Sequence, residues 1–116
     1  MAHPFPTNND FLRPCLAILD KCSPISRNLM KDKLAIHFRL SDEELKLPTR
    51  KGSNTMFISR IDWVRMHLVW AGFMNIPKRG VWEITKEGRA YLISHGSFGI
   101  KDLMEIPSFA AHKKRR

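Results

Sequence analysis

The sequence predicts a mainly helical fold that carries one β-hairpin, and three observations predict it. Apolar residues recur at helical spacing in three segments before residue 72. A strand–turn–strand pattern follows over residues 73–84, with its turn chemistry at Pro77-Lys78-Arg79-Gly80. A further helix then opens at Thr85.

The first helix is capped by Thr7 or Asp10 and runs to about Lys21. Phe11, Leu12, Cys15, Leu16 and Leu19 share one of its faces. Pro14 is tolerated only in a first turn, so the helix either starts near Asp10 or kinks at Pro14. Ser23-Pro24 reads as the start of a second helix, a capping hydroxyl followed by proline, with Ile25 stapling the entry. Leu29, Met30, Lys33, Leu34 and His37 continue it until the pattern fades at Phe38-Arg39-Leu40.

Residues 41–55 read as a long connection. Ser41-Asp42-Glu43-Glu44 has the form of a helix N-terminus, cut short at Leu47-Pro48. Thr49 to Asn54 is polar, basic and flexible in composition. A third helix runs from about Thr55 to Ala71, with Phe57, Ile61, Val64, Leu68 and Ala71 as its core stripe and Gly72 as its stop. A fourth extends from Thr85 towards Gly96, and Ile100, Leu103 and Met104 mark one more short helix before Pro107.

Helix, helix, loop, helix, hairpin, helix is the order of a winged helix-turn-helix, with the third helix as reader and the hairpin as wing. The expected organisation is a binding domain over residues 1–95 and a C-terminal extension over 96–110. A basic, structureless tail over 111–116 completes it.

Charge points to the partner. Twenty Lys and Arg against eleven Asp and Glu give +9, and the excess is uneven. Residues 1–45 hold six basic and six acidic side chains; residues 46–116 hold fourteen and five. A half this basic seeks a polyanion, and double-stranded DNA is the partner that suits the fold. Residues 46–60 contain no acid. The candidate DNA-binding residues there are Arg50, Lys51, Ser53, Asn54, Ser59 and Arg60, around the entry of the reading helix. Arg50 or Arg60 suits guanine and Asn54 suits adenine. Lys78 and Arg79 at the hairpin tip suit phosphate or the minor groove.

A second apolar stripe, Trp63, Met66 and Trp70, lies opposite Phe57 on the third helix. It is either buried under the C-terminal segment (Phe98, Ile100, Leu103) or a partner surface, such as a homodimer face.

Other classes are poorly supported. His3, His37, His67, His95, His112, Cys15 and Cys22 show no metal-ligand spacing. There is no Gly-rich phosphate loop and no nucleophile elbow. Glu44-Leu45-Lys46 matches the Glu-x-Lys of metal-dependent nucleases, but in a helical or loop stretch rather than on a strand. The expectation is no catalysis, no metal and no cofactor. Apolar runs are too short for a membrane span, and the start has no signal-peptide pattern. On one helix, Cys15 and Cys22 would be separated by about 10 Å of rise, too far to bridge. A reducing cytoplasm is expected, with nucleoid association when DNA is bound.

Four blocks of residues resemble the N-terminal winged-helix domain of Mrr-type (type IV, modification-dependent) restriction proteins. They are Pro6-Thr7 with Phe11-Leu12-Arg13-Pro14 and Leu16; Leu40 to Glu44 with Leu47-Pro48; Phe57, Arg60-Ile61, Trp63-Val64-Arg65, Leu68 and Ala71-Gly72; and Arg79 to Thr85 with Glu87-Gly88-Arg89. The resemblance spans about residues 6–95. It implies target-site DNA binding, sensitive to base methylation, by a domain that in the family precedes a nuclease domain. The expectation here is the binding domain alone, with a separate nuclease as a candidate partner. Two positions depart from the family pattern. Ser59 stands where Asn is frequent, and Val69-Trp70 where polar or basic residues are frequent. The alternative functions are a protein-interaction or dimerisation module using Trp63, Met66 and Trp70, or a detached specificity domain of a restriction endonuclease.

Overall fold

The computed structural model describes residues 5–49, 51, 52 and 54–114. Helix α1 (Asn8–Cys22) opens on a reciprocal cap: the Thr7 hydroxyl accepts from the Asp10 N–H, and the Asp10 carboxylate accepts from the Thr7 N–H. Pro14 sits inside the helix, seven residues in, rather than in a first turn at Asp10. Its missing N–H costs about 3 kcal/mol or more. That cost is outweighed by Phe11, Leu12, Cys15, Leu16 and Leu19, all fully buried, since a large apolar side chain contributes about 1.5–3 kcal/mol on burial.

The Ser23-Pro24 helix start is corrected. That peptide bond is cis, and the chain continues extended through strand β1 (Ile25–Ser26) before helix α2 (Arg27–His37). Ser26, not Ser23, caps α2, its hydroxyl accepting from the Leu29 N–H at 3.1 Å. The Ser23 hydroxyl instead accepts from the N–H of Ile84 at 2.9 Å. Pairing with a distant strand takes the backbone that an earlier helix would have used.

Arg39, in the left-handed region at φ 53, turns the chain after α2. Ser41 and Glu44 form a second reciprocal cap on the short helix α3 (Asp42–Leu45). Helix α4 (Met56–Trp70) begins at Thr55, whose hydroxyl accepts from the Ile58 N–H. Its stripe of Phe57, Ile61, Val64, Leu68 and the following Ala71 is buried throughout. Gly72 then takes φ 82, a conformation that a side chain would strain.

Strands β2 (Met74–Lys78) and β3 (Val81–Ile84) form the hairpin, and β1 pairs with the other edge of β3. The result is a three-stranded antiparallel sheet of order β1-β3-β2, with Ile25 opposite Trp82 and Met74 opposite Ile84. The strand runs through Pro77 to Lys78, so the turn is tighter than the sequence indicates and is closed by Arg79 and Gly80 (φ 80). Pro77 is accommodated because β2 is an edge strand, and the register shifts between Asn75 and Lys78.

Helix α5 (Lys86–Ser94) packs on α1, with Arg89 paired to Asp20 at 3.1 Å. Helices α6 (Ile100–Met104) and α7 (Pro107–Lys114) follow. The expectation of a structureless segment from residue 111 is corrected as far as Lys114: α7 continues to that residue because Phe109, 2% exposed, anchors it against α4. Residues 115 and 116 lie outside the described residues.

Gly88 sets the distance between α5 and the segment that links α4 to β2. A Cβ placed there would stand 2.5 Å from the Phe73 carbonyl oxygen, which is backbone and yields little. Gly88→Ala should therefore destabilise the fold by about 1–3 kcal/mol, although alanine is the better helix former by about 1 kcal/mol. Thermal unfolding checks this; an unchanged or raised Tm contradicts the close approach.

Candidate nucleic-acid interface

The acid-free segment before α4 is an ordered loop in its described part, not the flexible one its composition indicates. Thr49 N–H donates to the Asn54 carbonyl at 2.9 Å, Gly52 N–H to Thr49 at 2.9 Å, and Met56 N–H to Leu47 at 2.8 Å. Pro48 and Thr55 form a bridge across its neck. Lys46, Lys51 and Asn54 are exposed, and the Asn54 side-chain oxygen accepts from the Thr55 N–H at 2.8 Å. Arg50 and Ser53 lie outside the described residues. Ser59 is half-buried on the first turn of α4.

Arg60 is placed differently from the other candidates. Its Nε donates to the Pro6 carbonyl at 2.9 Å, and its guanidinium lies 5.5 Å from the centre of the Phe5 ring. It binds the segment before α1 to the flank of α4.

Lys78 and Arg79 are exposed at the hairpin tip. The tip is anchored: the Gly80 carbonyl accepts from the N–H of Arg27, first residue of α2, at 2.9 Å. The Arg27 side chain reaches on to Asp62 of α4, Nη2 to Oδ1 at 3.0 Å. Between these elements lies a concavity of about 480 Å³, lined by Arg27, Asp62, Arg65, Ile76, Arg79 and Trp82. Three arginines from three elements line it with one carboxylate, Asp62, which pairs with Arg27. Neither Arg27 nor Arg65 is among the DNA-contact candidates that the sequence offers. Arg27 belongs to the half that is neutral by count. Arg65 was legible as the i+3 neighbour of Asp62, off the core stripe.

The model of the Mrr N-terminal domain matches residues 9–94. The chain belongs to the Mrr N-terminal domain family. No curated protein and no solved structure matches it. The Mrr N-terminal match spans nearly all of α1 and continues to the end of α5, taking in the hairpin and its concavity, and stops before α6.

That boundary bears on the Trp63, Met66 and Trp70 face. All three side chains are half-buried. His67 stacks on Trp63 with ring centres 4.0 Å apart, and Phe109 lies 5.5 Å from His67 and 5.6 Å from Trp70. Part of the face is thus covered within the chain, by a helix beyond the matched residues. The sequence named Phe98, Ile100 and Leu103 as the cover. Phe98 packs instead on Tyr91 of α5, ring centres 5.0 Å apart.

Among the described residues, no group of three or more His, Cys, Asp or Glu is placed to hold a metal ion. No described helix is long and apolar enough to cross a membrane. Burial pushes the Cys15 thiol far above its ordinary range, so it stays protonated and unreactive. Cys22 is only partly buried. A thiol reagent should label Cys22 in the native protein and Cys15 only after denaturation; fast labelling of both in the native state contradicts this core. Phe109→Ala should cost about 3–5 kcal/mol and shift tryptophan emission to the red, as Trp70 loses its cover. Unshifted emission would mean that α7 does not shield it.

Proposed function

We propose that this Mrr N-terminal domain is a winged helix that binds double-stranded DNA in the setting of a restriction or defence system. The observation that carries the reading is the placement of Lys78 and Arg79. They stand exposed on a hairpin tip that is fastened to α2, beside the solvent-facing flank of α4. The element order and the β1-β3-β2 sheet support it, since in this fold such a helix reads the major groove while the wing meets backbone or minor groove.

In this reading Lys51 and Asn54 meet DNA at the entry of α4, with Arg50 and Ser53 from the same loop. Ser59 faces the groove. Arg60 acts as a positioning residue, because its Nε is committed to the Pro6 carbonyl. The chain binds and does not cut; cleavage belongs to a nuclease domain or partner. Base methylation is the modification it would discriminate. Protein association or homodimerisation through Trp63, Met66 and Trp70 is the weaker reading, because Phe109 already occupies part of that face.

Fluorescence anisotropy with methylated and unmethylated duplexes over a range of salt tests the reading. Binding should weaken steeply with salt. Replacing Lys78 and Arg79 by Ala together should lower affinity on every sequence and flatten the salt slope by about one for each phosphate left without its cation. No binding at low salt would overturn the proposal.

A further inference from the structure

We infer that the concavity between α2, α4 and the hairpin turn seats one phosphate diester of the DNA backbone, held by Arg65 and Arg79. The inference rests on the DNA reading above and assigns a backbone seat that it leaves open.

The charge balance carries the argument. Asp62 is the one carboxylate among the residues that line the concavity, and it is taken by Arg27. Arg65 and Arg79 line the same space and make no ion pair with any described residue. Two unpaired cations facing one concavity repel each other, and an anion between them removes that cost. Guanidinium forks suit phosphate oxygens bidentately.

Shape selects a phosphate over an extruded base. Trp82 is 1% exposed, so it offers no ring face for stacking. Ile76, 37% exposed, offers an apolar wall for a sugar. The volume of about 480 Å³ admits a phosphate with its flanking sugar. The walls are held apart without the ligand, because the Gly80–Arg27 hydrogen bond and the Arg27–Asp62 pair link hairpin, α2 and α4. One DNA strand would therefore pass between the reading helix and the hairpin, with its register set by this phosphate. Asp62 keeps Arg27 neutralised, so the seat presents two cations rather than three.

The test uses the full chain and a duplex selected from a random pool for tight binding. A series of that duplex carries one uncharged methylphosphonate at successive positions. At one position or two adjacent ones, the substitution should weaken wild-type binding about tenfold and that of R65A and R79A by clearly less, because each variant has lost one of the two grips on that phosphate. Both variants should bind the unmodified duplex about tenfold more weakly, with a salt slope lower by about one. Circular dichroism establishes that each variant is folded. If wild type binds the duplex and R65A and R79A bind equally well, or if the methylphosphonate penalty is the same in all proteins at every position, the seat is overturned while the DNA reading stands. If wild type binds no duplex even at low salt, both fall.

Discussion

The fold turns on a very short ladder, Ile25 and Ser26 against Trp82 and Val81. Those two residues decide where α2 begins, because Ser26 leaves the strand and at once caps the helix. The next residue, Arg27, then faces both ways. Its N–H holds the Gly80 carbonyl, and its guanidinium holds Asp62. An exposed ion pair contributes only a few tenths of a kcal/mol up to about 1 kcal/mol. Its consequence is geometric: the hairpin and α4 keep one spacing because a single residue is tied to both.

Much of the architecture was legible because it is written locally. Thr7, Ser41, Thr55 and Thr85 each cap the helix that their position announces. The stripe from Phe57 to Ala71 is buried as its spacing requires. Ser23-Pro24 misled because the local signal is genuine, while the partner that outweighs it, the N–H of Ile84, lies 61 residues away. No window along the chain contains both.

The candidate site was legible in composition and less so in direction. A helical wheel separates Arg60 and Arg65 from the core but does not say what covers each remaining flank. The N-terminal segment meets Arg60, the hairpin meets Arg65, and α7 meets Trp70. Trp70 packs against Phe109, a residue beyond the family match. The basic hairpin tip is exposed, where turn chemistry alone places it.

Pro77 has a consequence for crowding. A polyanion gathers many copies of a basic protein along its length, at local concentrations far above bulk. Small sheets with open edges are then liable to join edge to edge. In this chain one outer strand is two residues long, and the other carries Pro77, the exposed Lys78 and an irregular register. Neither offers a run of regular hydrogen-bonding groups to a neighbour. The sheet that holds the hairpin upright is thereby closed to edge-to-edge growth at both of its outer strands.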